Sequence, residues 1–314
     1  MITNAGKEKG MVICMKIVAG VDGGGTGTTL EIWDAAGQKR DRKTFGPFNI
    51  NSIGEQNCKR LLSEIFEVIV QAGECRAVCI GIAGISNPRV RELVKEVSLE
   101  YHLSTGIILK GDQEIALYGA MNGGTGAILI AGTGSICYGM GSGETIVRAG
   151  GWGHLIDDEG SGYALGRETL EAVVKAYDGR GGKTILTELV KEFWQISSME
   201  DLIAKTYATF DKSNIASLSG VLEQGAREGD PIALAVIQEN AVKLCGLVKA
   251  VSGRIQETPL PMALLGGLLT HDTVFREAVV RNLSREEYHV VIREAAMDAA
   301  SGAALWAQRS LSCH

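Results

Sequence analysis

The sequence predicts an α/β protein in which one structural unit is used twice. Three observations carry this. Apolar runs of strand length alternate with amphipathic stretches at helical spacing through residues 16–121. A strand, a glycine-rich turn and a second strand occur around Asp22 and again, about 110 residues later, around Thr133. The order β-β-β-α-β-α-β that opens the chain resembles neither a pure Rossmann half nor a barrel.

Taken in order, strands are expected near 16–22 and 28–34, joined by Val21-Asp22-Gly23-Gly24-Gly25-Thr26-Gly27-Thr28-Thr29. Three consecutive glycines let the backbone take positive φ and approach a ligand, and Thr26, Thr28 and Thr29 offer hydroxyls and amides to anionic oxygens. This is a phosphate-holding turn between strands. A P-loop or a Rossmann fingerprint places its glycines between a strand and a helix, and the Gly-Lys-Ser/Thr of the P-loop is missing. A third strand around 38–46 precedes a helix from Ile53 to Ala72, whose Leu61, Leu62, Ile65, Phe66 and Ile69 form one apolar face. A buried strand Ala77–Ile82, a helix Pro88–Glu100 and a strand Gly106–Lys110 follow. The loop Gly111-Asp112 then leads into a short helix, Gln113–Met121.

The second turn lies in Gly126-Ala-Ile-Leu-Ile-Ala-Gly132-Thr133-Gly134-Ser135, continuing to Gly139. Helices are expected at Gly166–Tyr177, Thr184–Phe193, Met199–Tyr207, Ala216–Glu228 and Pro231–Ile255. A strand Met262–Leu265 ends in Gly266-Gly267-Leu268. After a helix Thr273–Leu283 and a strand His289–Ile292, the last helix, Ala295–Gln308, is small and apolar enough to pack back on the first domain.

Composition bounds the function. With 314 residues, 45% of them hydrophobic and 22% charged, the chain can bury a core without staples. A net charge of −6 and the lack of a basic stripe argue against a nucleic-acid partner. The 41 glycines cluster near 20–27, 81–84, 123–134 and 150–166, as ligand-facing loops would. Seven scattered cysteines without a CxxC pair point to a reduced cytoplasm and to no zinc site. No apolar run approaches the ~20 residues that cross a bilayer, so no membrane partner is expected. Met1–Gly10 reads as a disordered or added tail, with Met11 or Met15 as natural starts.

Asp22-Gly-Gly-Gly-Thr, Ala131-Gly-Thr-Gly-Ser, Gly150-Gly-Trp-Gly-His-Leu-Ile-Asp-Asp-Glu-Gly-Ser and Leu265-Gly-Gly-Leu, in this order and spacing, resemble the actin/hexokinase/Hsp70 superfamily of ATP-binding proteins. Within it the chain is similar to the N-acetylglucosamine kinase branch of the BadF/BadG/BcrA/BcrD ATPase family, which also holds the ATPases of benzoyl-CoA reductase and the activators of 2-hydroxyacyl-CoA dehydratases. The similarity runs from Lys16 to Gln308. It implies duplicated ribonuclease-H-like (actin-like ATPase) domains with a nucleotide cleft between them: residues 16–115, completed by the helix 295–308, and residues 116–294.

The resemblance further implies that ATP phosphates sit on Gly24, Gly25, Thr26, Thr133, Gly134 and Ser135, and adenosine on Gly266 and Gly267. Asp22 would position Mg²⁺ through water, a metal expected also because triphosphate charge must be neutralised for phosphoryl transfer. Gly27 stands where the family commonly has a lysine. The sugar side would be Asn49, Asp112, Gly150, Gly151 and Asp158. Here Asp157-Asp158-Glu159 carries one acid more than the usual Gly-Asp-Glu.

A sugar hydroxyl titrates far above neutrality, so its phosphorylation benefits from a carboxylate that takes the proton. Asp112 matches the catalytic aspartate of the sugar kinases by its place before Gly-Thr-Gly-Ser; an N-cap for the following helix is the alternative. A turn-forming role is the alternative for Asn49, and a solvated turn or a metal cluster for the three acids. Ser86 and Cys137 are further pocket candidates, although Cys137 also suits a small core position. His154 suits a hydrogen-bonded structural role. Trp152 suits either a sugar face or the core.

The expected function is therefore an ATP-dependent amino-sugar kinase acting at the 6-hydroxyl of N-acetylglucosamine, N-acetylmuramic acid or glucosamine, with a homodimer possible. The alternative, an ATPase activator of a 2-hydroxyacyl-CoA dehydratase or benzoyl-CoA reductase, needs a cluster-ligating cysteine pair, whereas Cys137 and Cys245 stand alone.

Overall fold

The computed structural model describes residues 15–103, 106–142, 145–207, 211–255 and 257–311. The expected tail, the start at Met11, and Cys14 and Cys313 lie outside the described residues. The chain forms two compact units: one of residues up to Gly123 together with those from Met297 onward, the other Gly124–Ala296.

Unit 1 is built on a five-stranded sheet of β1 (Lys16–Gly23), β2 (Thr28–Asp34), β3 (Lys39–Phe45), β4 (Glu74–Ile82) and β5 (Ile107–Lys110), in the order β3-β2-β1-β4-β5. The first three strands form an antiparallel meander; β4 and β5 join parallel to β1. A short helical turn, α1 (Ile50–Ile53), leads into α2 (Glu55–Ala72), which is followed by β4 and α3 (Pro88–Glu100). The apolar face of α2, with Leu62, Ile65, Phe66 and Ile69 almost fully buried, joins Val90, Leu93, Val94 and Val97 of α3 on one side of the sheet. The other side is covered by α4 (Asp112–Ala120) and, from the end of the chain, α12 (Ala299–Ser310).

That second layer depends on glycine. A Cβ at Gly20 would lie 2.2 Å from the backbone nitrogen of Ala304, and one at Gly302 would lie 2.2 Å from the carbonyl oxygen of Ile115. Strand β1, α4 and α12 thus meet backbone to backbone, a separation any larger residue would prevent. For the same reason α4 stays with unit 1, and the units divide at Gly123/Gly124 rather than at 115/116, which falls inside this helix.

Unit 2 carries β6 (Gly126–Ala131), β7 (Ser135–Met140), β8 (Ile146–Gly150), β9 (Leu260–Leu265) and β10 (Val290–Arg293). Their order, β10-β9-β6-β7-β8, with β6, β7 and β8 antiparallel and β9 and β10 parallel to β6, repeats the plan of unit 1 strand for strand. The duplication expected from the paired turns is therefore present in both sheets. Strand β8 was not foreseen, because its single-sided run Ile-Val-Arg-Ala-Gly is short and half-buried.

The helices of unit 2 are α5 (Gly162–Tyr177), α6 (Leu186–Trp194), α7 (Met199–Tyr207), α8 (Lys212–Arg227), α9 (Pro231–Ser252), α10 (Gly267–Thr270) and α11 (Val274–Leu283). Three helix starts lie four residues from expectation, each for a capping reason. Ser161 accepts the N–H of Ala164 and starts α5 before Gly166; Asp211 accepts that of Ser213 and starts α8 before Ala216; Asp298 accepts that of Ser301 and starts α12 after Ala295. Among the described residues α9 is the one helix long and apolar enough to cross a membrane; Leu244, Val248 and Val251 on it are fully buried in the core of unit 2.

Candidate active site

In unit 1 the candidate residues collect at the C-terminal ends of the parallel strands, where open α/β sheets usually present their ligand sites. Asp22 is the penultimate residue of β1 and Asp112 follows β5. The turn after β1 is closed by the N–H of Gly24 donating to Gly27 O at 3.0 Å. Phe48, buried beside it, donates its N–H to Gly24 O at 2.9 Å, and this contact brings Asn49 to the turn. The carbonyl of Asn49 in turn accepts the N–H groups of Ser52 and Ile53 and starts α1.

Two details depart from the sequence reading. None of Gly24, Gly25 and Gly27 adopts a left-handed φ, and a Cβ on Gly25 would meet nothing within 4 Å, so the turn itself does not demand glycine there. The hydroxyl of Thr28 is buried and donates to Gly46 O at 2.8 Å, so it pins the turn instead of facing a ligand, whereas Thr26 is exposed.

The electrostatics of unit 1 centre on Asp22. Burial, then the neighbouring carboxylates of Asp112 and Asp298, push its pKa up to about 6, against a smaller opposing pull from Arg42. Burial also raises the Asp112 carboxyl, opposed by its contacts with the N–H of Gln113 and its own N–H. Asp112 is not the cap of α4: Gly111 holds that place, and Glu114 accepts the Gly111 N–H at 2.6 Å. Asp112 is instead the first residue of the helix and takes two of its opening N–H groups.

Arg42, Glu31 and Asp298 were not singled out from sequence. Glu31 on β2 is wholly buried and accepts from Trp33 Nε1, Lys39 Nζ, Arg42 and Ser301 Oγ. Burial alone would raise its pKa, but these donors, Lys39 foremost, hold it below the usual carboxylate range. Arg42 also reaches Asp298 Oδ2 at 2.6 Å. The available signal was Asp298 ahead of Ala-Ala-Ser-Gly-Ala-Ala, the pattern of an N-cap; alternation along β2 gives no hint of a buried Glu31.

In unit 2 the second turn is tied to the segment that starts α5. Gly162 donates its N–H to Gly132 O at 2.7 Å and Tyr163 to Thr133 O at 3.4 Å. Ser135 is buried, its hydroxyl donating to Glu159 O at 2.7 Å and its N–H to Asp158 Oδ1 at 3.4 Å; Thr133 is the exposed member of the turn. Gly266, at φ +87°, ends β9 so close to β6 that a Cβ would lie 2.3 Å from Ala131 O. The Gly266-Gly267 loop is thereby fixed beside the second turn within the same unit. Next to it, a cavity of about 110 Å³ is lined by Leu165, Ser219, Gly220, Leu268 and Thr273.

Gly150 and Gly151 both take left-handed φ and open a loop in which Trp152, Leu155 and Ile156 are 65%, 85% and 82% exposed. Trp152 is thus not in the core; the Arg148 guanidinium lies 3.9 Å over its ring. The ring of His154 packs edge-on to Tyr163. The three adjacent acids do separate jobs instead of forming one cluster. Asp157 accepts the Trp152 N–H at 3.0 Å, Asp158 is 3% exposed and pairs with Lys212 Nζ at 2.7 Å, and Glu159 is exposed. Lys212 had no sequence signal. Cys137 and Cys245 are fully buried, and burial raises both thiols, so they are core residues unsuited to ligating a cluster. Ser86 is exposed.

Comparison with known proteins identifies the family. The sequence profile of the BadF/BadG/BcrA/BcrD ATPase family matches residues 19–307. The chain belongs to this family. It is 36% identical over 303 residues to the N-acetylmuramic acid/N-acetylglucosamine kinase of Clostridium acetobutylicum, covering 94% of this chain and 99% of the relative. The N-acetyl-D-glucosamine kinase of Dictyostelium discoideum is 29% identical over 314 residues, covering 94% and 98%. Among solved structures, a Chromobacterium violaceum protein provisionally named N-acetylglucosamine kinase superposes with a TM-score of 0.69 at 26% identity over 94% of this chain and 99% of that one. The ROK hexokinase of Thermus thermophilus, with a TM-score of 0.60 at 16% identity over 95% and 100%, shows the shared fold.

Proposed function

We propose that this member of the family is an ATP-dependent amino-sugar kinase that phosphorylates the 6-hydroxyl of N-acetylglucosamine, N-acetylmuramic acid or glucosamine, with Asp112 as general base. The observation that carries the reading is the Asp112 carboxylate itself. It lies just past the end of β5 beside Asp22, at the first residue of the helix that follows and not at its cap, and burial raises its pKa. The substrate class is supported by the two relatives named for amino-sugar kinase activity.

In this reading Asn49 orients the sugar, with Gly150 and Gly151 as further sugar contacts, while Asp158, expected there from the resemblance, is buried and holds the second turn instead. The 6-hydroxyl gives its proton to Asp112 as its oxygen bonds to the γ-phosphorus, and the bond from that phosphorus to the bridging oxygen breaks to release ADP. Gly24, Gly25, Thr26, Thr133 and Gly134 hold phosphates, and the buried Ser135 fixes the second turn. Gly266 and Gly267 bear the adenosine, with the neighbouring cavity as the slot for the base. The donors of unit 1 fit Mg²⁺: an oxygen ligand, Asp22, is crowded by Asp112 and Asp298, a surplus of negative charge that a divalent cation relieves. Mg²⁺ takes only one or two protein carboxylates and keeps several waters, so Asp22 acting through water suffices. When bound, the metal would neutralise charge on the phosphates.

A coupled ADP-release assay across glucose, glucosamine, N-acetylglucosamine and N-acetylmuramic acid tests this. One or more amino sugars should raise ADP release well above the sugar-free rate, and Asp112→Asn should abolish the increase. If no sugar does so, or if Asp112→Asn turns over normally, the proposal is wrong.

A further inference from the structure

The second glycine turn poses an electrostatic problem that the sequence does not reveal. A Cβ built on Gly134 would lie 3.1–3.3 Å from all three atoms of the Asp158 carboxyl group, and the same carboxylate takes the N–H of Ser135. A buried negative charge therefore abuts the turn proposed to hold phosphate. Left alone, it would repel the anion the turn is built to hold, and the low dielectric around a residue only 3% exposed would strengthen that repulsion.

The chain answers with Lys212. It is the first residue of α8, just after the Asp211 cap, and its ammonium reaches Asp158 Oδ2 at 2.7 Å. The position of α8 is fixed by close packing on α5, since a Cβ on Gly166 would lie 1.9 Å from Ile215 O. Helix α5 itself starts at the turn through the Gly162 contact to Gly132. Lysine, carboxylate and turn thus form one rigid assembly within unit 2.

We propose that Lys212 is a positioning residue for nucleotide binding: by neutralising and holding Asp158 it makes the Gly132–Ser135 turn permissive to phosphate. This rests on the kinase reading above. In this chain it also gives the phosphate side a cation that Gly27 does not provide.

The test is direct binding of a non-hydrolysable ATP analogue with Mg²⁺, without sugar, measured by calorimetry on the wild-type chain and on Lys212→Met, Lys212→Arg, Asp158→Asn and the double variant Asp158→Asn/Lys212→Met. Lys212→Met should weaken binding by about tenfold or more, and Lys212→Arg should stay within about threefold of wild type. The double variant should recover to within about threefold of wild type, because the uncompensated charge is gone. Urea unfolding of the same variants separates this role from a merely structural one: a loss of affinity in Lys212→Met matched by a loss of the folded form overturns the inference, and a loss of affinity in a variant that unfolds at the wild-type midpoint supports it. Equal binding by wild type and Lys212→Met, or a double variant as weak as Lys212→Met, overturns the inference while leaving the kinase reading standing. No binding by the wild type overturns that reading, and the inference with it.

Discussion

Replacing Asp22 by asparagine should make the protein more stable while impairing it. The ionised Asp22 carboxylate is unfavourable in the folded state, because its pKa rises from the ordinary 3.8 to about 6 through burial and then through Asp112 and Asp298. A folded carboxyl with a raised pKa binds its proton more tightly than the unfolded chain does. The contribution of Asp22 to stability is therefore greatest at low pH and is lost as pH rises from about 4 through about 6. At ~1.4 kcal/mol per pKa unit, the loss is about 3 kcal/mol at pH 7.5 and about 0.5 kcal/mol at pH 4. Asparagine keeps the shape and removes the charge, so Asp22→Asn should gain up to about 3 kcal/mol at pH 7.5 and no more than about 0.5 kcal/mol at pH 4. Urea unfolding of both proteins at the two pH values, without divalent cations, measures the difference. Added Mg²⁺ with nucleotide should then raise the unfolding midpoint of the wild type more than that of the variant. A variant less stable than wild type at pH 7.5, or a difference that does not change with pH, refutes the assignment of Asp22 as a charge-strained site.

Asp112→Asn should lower kcat by about 10²–10⁴-fold while leaving the affinity for nucleotide within a few-fold, read by steady-state kinetics beside direct binding. Because the base must be ionised and burial raises its pKa, the acid limb of the kcat profile should lie above the ordinary carboxylate range and vanish in this variant. Gly266→Ala meets both a left-handed φ and the Ala131 carbonyl at 2.3 Å, and should cost about 2–4 kcal/mol in urea unfolding; a cost below about 0.5 kcal/mol would show that the loop after β9 relaxes freely. Gly27→Lys should fold normally, since its Cβ would lie 3.6 Å from Phe45 O at ordinary contact, and should tighten ATP binding by a few-fold; weaker binding would mean that the shortened side chain serves the phosphates better.

The architecture was legible to the extent that it is written in periodicity. The two glycine turns announced the repeat, and the matching sheet orders of the two units follow that repeat down to the antiparallel meander at the start of each. The repeat held more than was drawn from it: β8 is the counterpart of β3, so a third strand after β7 was implied even though Ile146–Gly150 is too short to stand out. Candidate site residues such as Asp22 and Asp112 could be named from motif spacing. Their electrostatic partners could not. Lys212 lies 54 residues from Asp158, and Ser301 lies 270 residues from Glu31, so only the folded chain brings them together. Conformation within the turns was also hidden, because glycine permits a left-handed φ without requiring it, and the first turn does not use one.

Helix α12 gives the chain a timetable. Its residues Ala300, Ala303 and Ala304 lie against Gly20 and complete the back of the first sheet, yet they are translated after the whole of unit 2. While a ribosome is still making residues 124–296, β1 and α4 have no partner for that face, and the groove that admits only backbone contact stands open. Unit 2, by contrast, is continuous in sequence and can complete its core before the C-terminus emerges. The half that holds Asp22 and Asp112 is therefore the last to be finished, and a chain cut short before Asp298 would release a protein with the Gly132–Ser135 turn and the Gly266-Gly267 loop formed but the Asp22 and Asp112 carboxylates unsupported.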